Sequence, residues 1–436
     1  KIDPSEIIIS NQNIEIKNNL EKKINATITI LENKLFLRKN DYETNAVKNK
    51  KKYNSQELNV INSIYNYLEI TQKKKIDFLK EPKLEFENNF VKIDNATRRN
   101  LEIVQSVQGE KKGTLLSTIN NTLTPLGSRL LTLRIQNIST NLKKINRRLE
   151  EVSFFYDNIA IYESILSILK NFPDIERSLS RIMLSRANPK DIGVLRDGLK
   201  KSFELRERLN DSTIFSKIFD LESFIIAKSI FNYLEKTIIE NPPINLKDEI
   251  VIAKGYNSNL DKLIEIRKNS KNIITIKQKE YSSRYNINAL KIKYNNFLGY
   301  FIEIPIKHKE KLFEQQIFDV ISRQNTLNTF RFTTTELTEI SETIINADQK
   351  INKIQNEIFQ NIIQFIQKKS SILKIISKFV SKLDLSSSIA KIAKERDWTK
   401  PKIDESNAFK IKKGRHPVVE HSLIKNGNTR FISNDC

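Results

Sequence analysis

The first apolar clusters along the chain, Ile7-Ile8-Ile9 and Ile28-Thr29-Ile30-Leu31, are short and rich in β-branched residues, so each predicts a strand. From about residue 61 the period changes. Leu115, Leu116 and Ile119, then Leu126, Leu130, Leu131 and Leu133, recur at helical spacing until Pro173. Further amphipathic stretches run from 191 to 240 and stop at Asn241-Pro242-Pro243. Residues 250–285 predict a helix charged on most faces, the pattern of a solvated arm.

A β signal follows. Leu290-Lys291-Ile292-Lys293-Tyr294 alternates apolar and polar, Asn295 to Gly299 carries turn residues, and Tyr300 to Ile306 alternates again. Together they predict a hairpin, with Thr326 to Phe332 as a third strand. Thr333 with Glu336 has capping-box spacing. After it, Leu337, Ile340, Ile344, Ile351, Ile354, Ile358, Ile362 and Phe365 form one stripe. A helix from about 336 to 368 would be roughly 50 Å long. The pattern is an antiparallel pair of long helices carrying a small β module at the tip, or a plain coiled coil interrupted by a loop; periodicity leaves both open.

Composition changes this picture in three ways. Only 9 Gly and 10 Pro in 436 residues favour long helices over many short strands, and a chain of that length implies several domains. Lys and Arg total 74 against 52 Asp and Glu, a formal charge of +22 that points to a polyanionic partner. An AT-biased genome, visible in the abundance of Lys, Asn and Ile, accounts for the same excess with no function attached. Cys436 is the one cysteine, so no internal disulfide forms. Three histidines and that thiol make no convincing zinc site, and no apolar run reaches membrane-spanning length.

Several segments resemble the MutS family of DNA mismatch-repair proteins, in the family's order. They are Asp94-Asn95-Ala96-Thr97-Arg98-Arg99-Asn100-Leu101-Glu102, Thr124-Pro125-Leu126-Gly127-Ser128-Arg129-Leu130-Leu131, and Asp174 to Arg177 with Ala187-Asn188-Pro189-Lys190-Asp191. Gly299-Tyr300-Phe301-Ile302-Glu303-Ile304, Arg323-Gln324 with Arg331-Phe332, and Gly414-Arg415-His416-Pro417 complete the series. The resemblance implies a mainly α, multi-domain fold: a helical core with long antiparallel lever helices carrying a small β-rich clamp, flanked by partial α/β segments. The implied divisions are 1–60, the end of an α/β connector; 61–248, helical core and outgoing lever; 249–332, outer lever and clamp; 333–400, returning lever helices; and 401–436, the start of an ATPase domain.

The resemblance further implies a homodimer on duplex and mismatched DNA, working with ATP and Mg and with a MutL-type repair partner in the bacterial cytoplasm at the nucleoid. No G-x-x-x-x-G-K-[ST] occurs in the sequence, so the phosphate loop is expected beyond Cys436 and this chain alone is not expected to hydrolyse ATP. The mismatch-reading domain is expected before Lys1. Lys291, Lys293, Asn295, Asn296, Arg323, Gln324 and Asn328 are expected to hold the DNA backbone, since Lys, Arg and amide side chains donate to phosphate oxygens. Asn295 and Asn296 equally suit a turn, and Leu327 stands where the family often carries a basic residue. Phe431 resembles the family's adenine-stacking aromatic; a core Phe at a strand edge is the other reading. No residue is expected to be catalytic, and His416, beside Pro417, has the setting of a structural turn residue. Two other functions remain open: a MutS-family relative binding branched or recombination DNA, and a helical scaffold with no DNA role.

Overall fold

The computed structural model describes residues 4–21, 26–36, 52–72, 82, 90–209, 213–216, 218–246, 249–295, 297–314, 319–325, 327–427 and 431–436. The chain forms two compact units. One gathers Lys1–Asp174, Lys201–Asp220 and Lys374–Cys436; the other gathers Ile175–Lys200 and Leu221–Leu373. The described residues are mainly helical, with two small sheets. No single helix among them is long and apolar enough to cross a membrane.

The first unit opens with β1 (Glu6–Ser10) and β2 (Thr27–Leu31), paired in parallel with Ile7 opposite Ile28 and Ile9 opposite Ile30. A parallel pair needs a crossover, and the helix Ile14–Glu21 lies in it. The motif Thr124-Pro125-Leu126-Gly127 starts the helix Pro125–Gln136. The Thr124 hydroxyl accepts from Gly127 N at 3.0 Å, and Pro occupies the first turn, where its missing N–H costs nothing. Asp384, on the helix Ser370–Glu395, is buried against this start. Its carboxylate accepts from Leu123 N and Thr124 N, both at 2.8 Å, and from the Thr124 hydroxyl at 2.6 Å. Free N–H groups at a helix start favour an anion, and they offset the burial that pushes the Asp384 carboxyl above its usual range. Gly127 is what admits it: a Cβ there would lie 2.2 Å from Asp384 Oδ2.

In the second unit the outgoing helix Ser258–Arg284 runs beside the return helix Thr335–Lys368. At 1.5 Å per residue the return helix is about 51 Å long. Its buried positions Leu337, Ser341, Ile344, Ala347, Ile351, Gln355, Ile358 and Ile362 step by four and three, the 3.5-residue repeat of a packed helix pair. Two of them are polar, and each is satisfied. The Gln355 side chain accepts from Val251 N at 2.8 Å and donates to Glu249 O at 3.1 Å. Ser341 Oγ accepts from Tyr300 N at 3.2 Å. Such residues weaken a seam slightly while fixing its register. The same unit uses a buried Arg196 to close the end of the helix Leu221–Thr237, donating to Ile239 O and Glu240 O.

Between the two long helices lies a four-stranded antiparallel sheet of β3 (Lys291–Asn295), β4 (Gly299–Pro305), β5 (Ile321–Asn325) and β6 (Thr329–Thr333), in the order β3-β4-β6-β5. The expected hairpin is β3–β4. The third strand begins at Thr329 rather than Thr326, and β5 joins it as a fourth. β5 reads Ile-Ser-Arg-Gln-Asn and sits at the sheet edge, so it has no apolar alternation to betray it. The cap of the return helix is Thr334, one residue later than expected, and its hydroxyl accepts from Leu337 N at 3.0 Å. Thr333 is held in β6 opposite Ile321. Glu336 turns away from the cap to pair with Lys277 and to accept from the Tyr281 hydroxyl at 2.9 Å.

Substitution Gly127→Ala is expected to destabilise the first unit by about 2 kcal/mol or more, because the new methyl and the buried carboxylate cannot share the space. Urea unfolding of the two proteins measures it; an unchanged midpoint would mean that Asp384 moves aside freely.

Candidate nucleic-acid interface

Strand alternation gives the small sheet two unlike faces. Ile302, Ile304, Phe330 and Phe332 point to the helices and pack with Tyr281, Tyr285 and Leu337. The opposite face carries mainly polar side chains, with the Phe301 ring buried among them. One row crosses all four strands: Lys291 opposite Glu303, Glu303 opposite Arg331, and Arg331 opposite Gln324. Lys293 lies two residues from Lys291 and shares its face.

Glu303 organises this face. Its carboxylate takes Lys293 Nζ at 2.5 Å and Arg331 Nε at 2.9 Å, and Arg331 Nη1 donates to Gln324 Oε1 at 3.0 Å. The Lys293 hydrogen bond, supported by Arg331, holds the Glu303 carboxyl below its usual range. Arg331 also lies over the Phe301 ring, 5.2 Å from its centre. Lys291, Lys293 and Arg331 thus stand against one carboxylate, and Lys291 has no partner among the described residues.

Arg323 owes its position to a β-bulge. Ser322 pairs with Phe332 and Gln324 with the next residue back, Arg331, so Arg323 is the extra residue on an edge strand. It is exposed and unpaired among the described residues. Asn295 closes the β3–β4 turn: its Oδ1 accepts from Phe297 N at 3.0 Å and Leu298 N at 2.6 Å, leaving only its amide hydrogens to donate outward. Asn296 lies outside the described residues. Asn328 is exposed in the β5–β6 turn, and its carbonyl accepts from Ile306 N at 3.0 Å.

The two turns do not converge. Pro305 faces Thr329 at one end of β4, whereas Gly299 opens β4 at the other. About 20 Å of strand separates them at 3.3 Å per residue. The β3–β4 end folds back along the return helix: Gly299 has φ +69, and a Cβ on it would lie 2.8 Å from Ser341 Oγ. Lys291, Lys293, Arg331 and Gln324 therefore share one face across the middle of the sheet, with Arg323 on the edge strand next to Gln324, while Asn295 and Asn328 mark its opposite ends. Phe297 (94% exposed) and Leu327 (96% exposed) project from those two turns. Phe297 and the organising pair Glu303–Arg331 are not among the residues expected from the sequence. The signal for Phe297 was an aromatic beside Leu298 in a turn opened by two asparagines.

Phe431 is half-buried in the first unit, near the bridge between Gly414 and Asn434. No group of three or more His, Cys, Asp or Glu side chains that could hold a metal ion occurs among the described residues. Two neighbours are structural. Arg415 donates to Arg396 O at 2.7 Å and Asp397 O at 2.8 Å, and His416 Nδ1 accepts from Val419 N at the start of the helix Pro417–Gly427.

The profile of the MutS domain III family matches residues 96–390. The DNA mismatch repair protein MutS of Ruegeria pomeroyi is 37% identical over 386 residues, covering 87% of this chain and 44% of the relative. That of Rickettsia bellii is 33% identical across 100% of this chain and 50% of the relative. The chain thus spans about half the length of these relatives.

Glu303, with its lowered pKa, stabilises the fold fully above the ordinary carboxyl value of 4.5, and that contribution is lost as pH falls through the lower folded value. Urea midpoints measured across this acid range should fall for the parent and change less for Glu303→Gln; equal slopes would show that the carboxylate does not tie the sheet together.

Proposed function

The chain belongs to the MutS family, and from that premise we propose that it supplies the lever and DNA-backbone clamp of a mismatch-recognition and repair protein. The observation that carries this reading is the cationic outer face of the sheet at the far end of two long helices. Lys291, Lys293 and Arg323 donate to phosphates, and the amides of Gln324, Asn295 and Asn328 (with Asn296, outside the described residues) extend the grip along the backbone. Phosphate contacts position a protein without reading sequence, which suits a clamp that must close on any duplex.

Lys291 and Arg323 are the strongest points of this grip, since neither has to leave an internal partner. Lys293 must share its charge with Glu303. The apolar face of the sheet is packed on the helix ends through Tyr281, Tyr285 and Leu337, so that the sheet follows any displacement of the helices. Coupling of that displacement to ATP and Mg belongs to the same proposal, with Phe431 as one face of the adenine site. So do a homodimer, a MutL-type partner and a place in the bacterial cytoplasm at the nucleoid.

The test is duplex affinity over a salt series for the parent, Lys291→Gln and Arg323→Gln. Each lost phosphate contact should lower the slope of log affinity against log salt by about 0.9, equally on matched and mismatched duplex. Unchanged slopes in both variants would remove these residues from the interface. Binding with no salt dependence in the parent would favour a scaffold without a DNA role.

A further inference from the structure

The first unit contains a cavity of about 350 Å³ that the clamp reading does not use. It lies between the helices Pro125–Gln136, Leu142–Asp157 and Ser370–Glu395. It is partly open to solvent; Leu131, Ile145, Leu149 and Ile389 line its walls, together with the half-buried Arg134 and Arg148. Arginines in a largely apolar pocket are costly to hold, so their surroundings bear on what the pocket is for.

Glu151, fully buried, is the carboxylate behind them. It takes Lys382 Nζ at 2.6 Å, Arg147 Nε at 3.6 Å and Arg134 Nη2 at 3.8 Å. Four cations, counting Arg148, thus share one anion. Arg148 makes no hydrogen bond or ion pair among the described residues. Burial, with repulsion from Arg148, lowers Arg134 to about 10, and burial also lowers Arg148 and Lys382. Arg147 is half exposed and reaches solvent; Lys382, Arg134 and Arg148 are the more deeply placed cations.

Hydrogen bonding points the same way. Ser386 lines the cavity, is almost wholly buried, and has no partner for its hydroxyl; Arg134 Nε is likewise buried without one, and so is the acceptor Glu151 Oε2, which stands 3.8 Å from Arg134 Nη2. Buried donors are nearly always satisfied, and the unsatisfied Ser386 hydroxyl and Arg134 Nε can both serve an acceptor that carries negative charge. The apolar walls define the rest of the ligand. The volume is that of a small organic molecule.

We propose that this cavity binds a small amphiphilic anion, with a carboxylate or phosphate monoester held by Arg134, Arg148 and Ser386 and a short hydrocarbon body against Leu131, Ile145, Leu149 and Ile389. The anion completes the charge balance that Glu151 leaves unfinished, and its body excludes water from the apolar wall.

Calorimetric titration of the whole chain tests this with four probes: hexanoate, hexyl phosphate, hexanol and inorganic phosphate. At least one hexyl anion should bind about tenfold or more tighter than both hexanol and inorganic phosphate, and whichever wins identifies the head group. Arg148→Gln, which leaves the three contacts to Glu151 intact, should weaken that binding by about tenfold, and Arg148→Lys should restore part of it. Ile389→Phe, which narrows the cavity, should weaken binding while circular dichroism reports a folded chain. Absence of binding by both hexyl anions would overturn the proposal. So would hexanol or inorganic phosphate binding as tightly as the anions, or unaltered affinity in Arg148→Gln and Ile389→Phe.

Discussion

A four-stranded sheet with one apolar face cannot stand in water, and the second unit is arranged around that constraint. Ile302, Ile304, Phe330 and Phe332 have to be covered, and Tyr281, Tyr285 and Leu337 at the ends of two helices cover them. Burying this core makes the helix ends and the sheet one packed body. The junction carries a polar chain as well. The Thr334 hydroxyl accepts from Leu337 N and donates to Tyr281, whose own hydroxyl donates to Glu336. The cap of one helix is thereby tied to a side chain of the other, and the outer face of the sheet is left to the cations.

Buried polar groups recur wherever two distant segments must meet in one register. Gln355 holds the backbone at 249 and 251, Ser341 holds Tyr300, Arg196 holds the chain end at 239 and 240, and Asp384 holds the start of the helix at Pro125. Apolar side chains slide past one another at small cost. A buried donor or acceptor that misses its partner loses roughly 1–3 kcal/mol. Each of these contacts therefore selects one alignment of helices whose isoleucine stripes would tolerate several.

The net charge of +22 is handled in two opposite ways. On the sheet, Glu303 pairs with Lys293 and Arg331 and leaves Lys291 and Arg323 in water, where a cation costs little and remains available to a polyanion. Beside the pocket of the first unit, the buried Glu151 meets Lys382, Arg134 and Arg147, and partial burial makes the cations that face the pocket costlier than those on the sheet. The first arrangement suits an extended polyanion; the second suits a small anion that also has an apolar body.

Local chemistry was enough for much of this fold. The strands at Ile7 and Ile28, the hairpin of Lys291 to Pro305 and the stripe of the return helix follow from periods of 2 and 3.5, which depend only on near neighbours. Family segments such as Thr124 to Leu131 were also recognisable, because their residue order is itself a local property. What the tertiary structure alone decided involves pairs far apart in sequence. The edge strand β5 exists because β6 offers it hydrogen bonds. Thr334 caps because β6 claims Thr333, and Glu336 leaves the cap because Lys277 and Tyr281 arrive from the other helix. The antiparallel pairing of β4 with β6 sends the two expected DNA-facing turns to opposite ends of the sheet, and the surplus of cations around Glu151 forms only when three helices converge. A periodicity records which face of an element is buried; only the packed chain records what that face meets.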